Sequence, residues 1–214
     1  RDTSISVGTS ATTARSWERS FRTVCEATRV RGAQSDRLLE LRMRCLDRAL
    51  SRFDAFVDAL QAPLDLGGKV EAASSVDHLP AAASCEVVTA DPTLELPVDP
   101  MIRAEAASIE AELDHAWASY AIGRYTAAST QASALAQRVA RLALPALQAS
   151  VLLLGGTIEA RIGDGARARK LLEEAAVQAA RANAPELELA VWTRLLRQEL
   201  FAGRPDRVIE LGVI

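Results

Sequence analysis

Ala121-Ile122-Gly123-Arg124, Arg161-Ile162-Gly163-Asp164 and Phe201-Ala202-Gly203-Arg204 recur at intervals of 40 residues, and Pro145 and Pro185 keep the same interval. A fixed period of this length marks a repeat architecture. Each tetrapeptide closes an apolar-periodic stretch, and Tyr125, Gly165 or Pro205 opens the next, so each unit reads as two helices joined at the glycine. After Gly163 the series Ala168, Leu171, Leu172, Ala175, Ala179 keeps helical spacing, and the stretch before it carries Leu152, Leu153, Gly156 and Ile158. A glycine inside a helix costs about 1 kcal/mol against alanine. Gly156 is therefore expected where a neighbouring helix comes close, with Ala128, Ala168 and Ala175 as further small crossing points.

Composition agrees with packed helices. In 214 residues, alanine occurs 41 times and leucine 27 times while aromatics are only 4 %, so the core is built from small and aliphatic side chains. A net charge of −3 gives no field to hold a phosphate backbone, which argues against nucleic acid as a partner. The longest uncharged run, 142–158, contains Pro145, Gln148, Ser150 and the Gly155-Gly156 pair, and it falls short of the roughly 20 apolar residues that a span needs. No membrane insertion is expected within this chain. The chain opens on Arg1, not Met, and ends at Ile214 in a helical pattern, so it is expected to be a piece of a longer protein.

Upstream of the repeats, residues 1–13 are rich in Ser and Thr without apolar period and are expected to form a disordered arm. A helical cysteine-containing subdomain is expected over 14–83, an extended linker with Pro92, Pro97 and Pro100 over 84–101, and repeats over 102–214, divided at about 104–143, 144–183 and 184–214. Trp17, Phe21, Val24 and Thr28 give the first helix its stripe, and Gly32 closes it. Ser35 is placed to cap the second, whose apolar series Leu38, Leu41, Cys45, Ala49, Phe53, Phe56, Leu60 covers 22 residues in six steps. After the break at Pro63, Gly67 and Gly68, a short helix is expected over 69–79, ended by Pro80.

The repeats resemble tetratricopeptide repeats (TPR). The best match starts near Ala149, with a small residue at its eighth position (Gly156), Gly163-Asp164 at the turn, and Ala168 and Ala175 in the second helix. The unit is 40 residues where about 34 is usual, and an aromatic follows the turn only in the first repeat, at Tyr125. The resemblance implies an all-α fold, a helical hairpin subdomain followed by a TPR-like α-solenoid, a right-handed superhelix of antiparallel helix pairs. A second resemblance is carried by Cys25-Glu26-Ala27-Thr28-Arg29-Val30-Arg31-Gly32, Gln34-Ser35 and Leu41-Arg42-Met43-Arg44-Cys45-Leu46. This block is similar to one in large bacterial Hanks-type serine/threonine protein kinases, between the catalytic domain and carboxy-terminal TPRs, where Cys85 also has a counterpart. It covers roughly residues 15–214. The resemblance implies a kinase parent, commonly with a membrane span between its catalytic domain and this region, and hence an extracytoplasmic, periplasmic location; the alternative is cytoplasmic.

The chain itself carries no kinase chemistry: it has no glycine-rich loop, strand lysine, catalytic loop or metal-binding DFG motif. Leu66-Gly67-Gly68-Lys69 lacks the upstream glycine of a phosphate loop and has Val70 where a hydroxyl would bind magnesium. The two histidines, His78 and His115, complete neither a metal-ligand set nor a nucleophilic triad, so no enzyme activity, metal or cofactor is expected. If the short helix reverses the chain after helix two, about eleven residues at 1.5 Å each bring Cys85 back near Cys45. A Cys45–Cys85 disulfide then leaves Cys25 for a partner expected upstream of this piece; three reduced thiols, or a Cys25–Cys85 pair, are the other arrangements.

Solenoids of helical hairpins bind ligands on the concave surface formed by first helices. The candidate groove positions are Asp114, Trp117 and Tyr120 in the first unit, Thr157 and Arg161 in the second, and Arg194 and Arg197 in the third. Arginine forks and aromatic faces suit an acidic peptide or protein segment. The expected function is a protein-interaction or sensor module for such a segment. The alternative is a structural spacer or dimerisation element of the parent kinase, giving a homodimer.

Overall fold

Gly123, Gly163 and Gly203 have φ of 80°, 100° and 68°, the left-handed region that a glycine enters without a Cβ clash. Each sits in the same hydrogen-bonded turn: Arg124, Asp164 and Arg204 donate their backbone N–H to the carbonyls of Ser119, Glu159 and Glu199, at 2.9, 3.1 and 3.1 Å. The 40-residue interval is thus a repeated helix end. Pro145 and Pro185 open the following units at the first helical position, where a missing N–H costs nothing.

The structure is a computed structural model that describes residues 3–76 and 79–212. Among these residues it is all-helical, with no strand. The helices are α1 (Thr3–Arg29), α2 (Asp36–Leu60), α3 (Leu66–Ser75), α4 (Pro100–Ala121), α5 (Tyr125–Val139), α6 (Pro145–Ile162), α7 (Gly165–Arg181), α8 (Pro185–Phe201) and α9 (Pro205–Gly212). Two 3-10 turns, Ala82–Glu86 and Pro92–Leu94, lie between α3 and α4.

α6 and α7 are the most closely packed pair. A Cβ on Gly156 would lie 2.7 Å from Leu172 Cγ and 3.2 Å from the Ala168 carbonyl, so this mid-helix glycine is the point where α7 crosses α6. Ile109, Leu113, Leu135, Leu154 and Ile158 form the core between the first two units, and Leu153, Leu172, Val191 and Leu195 the core between the second and third. Trp117 packs against both clusters and so ties unit one to the apolar layer between units two and three.

The amino-terminal part continues this stack. Trp17 and Phe21 of α1 pack with Val24, Leu46, Ala82 and Cys85, and the Trp17 indole donates to the Leu46 carbonyl at 3.0 Å. Phe56, Ala72, Ala118 and Ile122 join α2, α3 and α4 in one cluster. α3 comes close enough to α4 that a Cβ on Gly68 would meet the Ile122 carbonyl at 3.0 Å. Cys45 and Cys85 are joined by a disulfide with a Cα separation of 5.5 Å, while Cys25 is free and half-buried.

Several boundaries differ from the sequence expectation. α1 extends back to Thr3 across the segment expected as a disordered arm, because a helix once nucleated propagates at little cost per residue. α3 starts at Leu66, not 69, because the Asp65 carboxylate accepts from the Gly68 N–H and caps it; it ends at Ser75, and His78 lies outside the described residues. The same carboxylate occupies the helix start that Leu66-Gly67-Gly68-Lys69 would have offered a phosphate. The linker is not wholly extended, since Asp91 accepts from Thr93 and folds the second 3-10 turn, and α4 begins at Pro100 under an Asp99 cap. On α2 the buried positions are Leu46, Ala49, Ala55 and Phe56, with Leu39 and Met43 beside them, whereas Leu38 and Leu41 belong to a second stripe that no helix covers.

Candidate functional site: an aromatic and arginine cluster on the first helices

The first helices of the units, α4, α6 and α8, contact one another in series, while α5 and α7 each wedge between successive first helices. The first helices therefore line the inner side of the stack. Near their carboxy-terminal ends, Tyr120 meets Trp117 edge-on with ring centroids 5.8 Å apart, and Tyr125 lies 5.5 Å from Tyr120. Arg161 extends over the Tyr125 ring at 5.3 Å, donates from Nε to the Tyr125 hydroxyl at 3.0 Å, and donates from a terminal nitrogen to the Glu71 carboxylate of α3. The Tyr125 hydroxyl bond is the main reason that the Arg161 guanidinium holds its proton more firmly than usual.

Arg194 completes the cluster from α8. It is half-buried and makes no hydrogen bond or ion pair among the described residues, yet its charge acts on the Tyr120 phenol. Burial pushes the Tyr120 phenol up, and Arg194 pulls against that shift. The arrangement offers an unspent guanidinium within electrostatic reach of the Tyr120 phenol, which itself meets the Trp117 indole and the Tyr125 ring, partners for a carboxylate on a chain with apolar or planar groups.

The structure distributes the expected groove residues unequally. Trp117, Tyr120, Arg161 and Arg194 come together. Asp114 does not join them: it is 2 % exposed and faces α2, where Ser51 Oγ donates to it at 2.8 Å and Arg52 Nε at 3.2 Å. Its carboxylate is used to join subdomains because α2 packs along α4. Thr157 is also removed from the surface, since it is buried and its hydroxyl donates to the Leu153 carbonyl at 2.7 Å. Arg197 is exposed and stacks over Phe201 of its own helix at 5.4 Å. The sequence reading missed Tyr125 and Glu71. Tyr125 had a signal, as the aromatic directly after a repeat turn; Glu71 had none, because its role depends on α3 docking beside α6.

At the other end of the inner face a cavity of about 210 Å³ is lined by Arg48 and Arg52 of α2, Glu110, Ser150 and the first turn of α8. Its arginines are already paired, Arg48 with Glu110 at 2.7 Å and Arg52 with Asp114. Buried Glu199 is likewise held by Arg169 at 2.8 Å and Arg204 at 2.7 Å. Among the described residues no three His, Cys, Asp or Glu side chains converge as a metal site, and no helix is long and apolar enough to cross a membrane.

Comparison with protein-family models, with curated proteins and with solved structures found no match.

Proposed function

We propose that this chain is a non-catalytic interaction module, TPR-like in its repeats, which holds an acidic peptide or protein segment on the inner face of its first helices. The observation that carries the reading is Arg194: a half-buried guanidinium without a hydrogen bond or ion pair, set beside Tyr120. A charge withdrawn from water and left uncompensated favours an anionic partner. The kinase-like block at Cys25–Gly32 and Leu41–Leu46 supports a serine/threonine protein kinase as the parent, with this region as its sensor. The Cys45–Cys85 disulfide supports an extracytoplasmic, periplasmic setting, because such bonds persist in oxidising compartments.

The second reading, a spacer or dimerisation element, draws on Leu189 and Phe201 of α8, which are 69 % and 79 % exposed. One experiment separates the two. Labelled decapeptides of acidic, neutral and basic sequence are titrated against the wild type, Arg194→Gln and Arg161→Gln/Arg194→Gln at two salt concentrations, with Arg197→Ala as a control. Acidic peptides should bind best, and the double variant should lose at least tenfold, about 1.4 kcal/mol, with an unchanged helical spectrum. Equal binding of all peptides, or an unaffected double variant, would remove the groove reading; a concentration-dependent dimer abolished by Phe201→Asp would favour the second.

A further inference from the structure

The uncovered stripe of α2 faces a cavity of about 660 Å³, closed on its far side by the segment 89–98 and by Arg103 of α4. That volume is in the usual range for small-ligand sites. It is separate from the inner-face cluster and does not depend on the reading given to that cluster.

The charges on its walls are poorly satisfied. The nearest acid to Arg44 is Glu40 at 3.9 Å, and Arg44 Nε and Nη1 are buried without a hydrogen-bond partner. Arg37 meets Glu95 only at 3.9 Å, with both side chains mostly exposed. Arg103, by contrast, is spent: it donates to the carbonyls of Pro97 and Val98 and braces the wall. Asp91 uses one oxygen, Oδ1, to accept from both the Thr93 amide and its hydroxyl. The groups left available are therefore Arg44 and Arg37, with Glu40 and Glu95 each 3.9 Å from one of them. Arg44 and Glu95, on opposite walls of the concavity, complement a ligand that carries both signs.

Between the charges the lining is aliphatic. Leu38 and Leu41 come from α2, and Leu96 and Val98 face them from the segment, with Val98 92 % exposed. Thr89 and Ala90 line the cavity, and their backbone amides make no backbone hydrogen bonds among the described residues. From Ser35 to Arg44 α2 runs about 13 Å at 1.5 Å per residue. Two or three extended residues at about 3.4 Å each, with their terminal groups, fill that length.

We propose that this cavity is a binding site for a short apolar peptide of two or three residues with free termini. Its carboxylate sits on Arg44, its ammonium group lies toward Glu95, its aliphatic side chains lie against Leu38, Leu41, Leu96 and Val98, and its main chain pairs with the backbone amides of Thr89 and Ala90.

The test is calorimetric titration of the full chain with the dipeptide Leu-Leu, its N-acetyl form, its carboxy-terminal amide and free leucine. Leu-Leu should bind, and masking either terminus should weaken it at least tenfold. Arg44→Gln should weaken Leu-Leu at least tenfold and leave the amide unchanged, and Glu95→Gln should do the same for the N-acetyl form. Val98→Asp, at a position too exposed to affect folding, should weaken every ligand. Undetectable Leu-Leu binding at millimolar concentration overturns the proposal. So does N-acetyl-Leu-Leu binding as well as Leu-Leu, which would describe a site for simple carboxylates, and so does free leucine matching the dipeptide, which would remove the two-residue span.

Discussion

Asp114 Oδ1 accepts from Arg52 Nε at 3.2 Å while its Oδ2 accepts from the Ser51 hydroxyl at 2.8 Å and lies 3.7 Å from Arg48 Nε. One carboxylate thus joins α2 to α4, fastening the cysteine-bearing part of the chain to the repeats. Burial, with the neighbouring Arg48 charge, pulls the Arg52 guanidinium below its usual range, and Asp114 offsets this.

Removing Asp114 takes from Arg52 its paired carboxylate and leaves it beside Arg48, which keeps Glu110. Asp114→Ala should destabilise the fold by about 3 kcal/mol, the lower end for a broken buried pair because Arg52 keeps some access to water. Asp114→Asn should cost less, since the amide oxygen can still accept from Ser51. Urea unfolding of the two variants checks the order; equal midpoints would show that the carboxylate charge is unimportant.

The adjacent glycines of α6 should respond in opposite directions. A Cβ at position 156 would meet Leu172 Cγ at 2.7 Å, whereas one at 155 would meet only Leu171 Cδ1 at 3.5 Å, an ordinary contact. Gly156→Ala should lose about 1–3 kcal/mol by overpacking. Gly155→Ala should be neutral or gain up to about 1 kcal/mol from helix propensity. Thermal unfolding of the pair is the measurement.

The Cys45–Cys85 bond closes a sequence separation of 40 residues, for which loop entropy gives about 3–4 kcal/mol of stabilisation. Reduction, or Cys45→Ala with Cys85→Ala, should lower the unfolding midpoint accordingly. Non-reducing mass analysis should count one free thiol, Cys25. Three free thiols in protein purified without reductant would contradict the bond.

Tyr120 should titrate above the ordinary phenol value of about 10, because burial disfavours its anion. A group whose proton is held more tightly in the folded state contributes stability below its unfolded pKa and loses it as pH rises through the folded value. Stability should therefore fall above about pH 10. In a Tyr125→Phe background the tyrosinate absorbance reports Tyr120 alone. Adding Arg194→Gln should move its midpoint still higher, since Arg194 is the stronger of the two cations, with Arg161, that lower it. An unmoved midpoint would place Arg194 away from the ring.

The helices of the repeats and the turns between them were legible in the sequence because they depend on local terms. A glycine every 40 residues, a proline at a first turn and a serine before an apolar run act within a few residues of themselves, and Gly163, Pro185 and Ser35 do what their types dictate. The close approach at Gly156 was legible for the same reason, as a local cost that only a tertiary contact offsets. What spacing does not encode is which of two apolar stripes on α2 becomes core. Of the series through Leu38 and Leu41, Cys45, Ala49, Phe56 and Leu60 do join the core, yet at its amino-terminal end α1 covers Leu39, Met43 and Leu46, and Leu38 and Leu41 are left lining a cavity. Asp114 follows from the same event: on an isolated α4 it is a groove carboxylate, and only the docking of α2 turns it into a buried clamp. Periodicity along one chain fixes faces, whereas the partner of each face is set by long-range packing, where whole helices compete for the same apolar surface and the winner decides which charges are left unpaired.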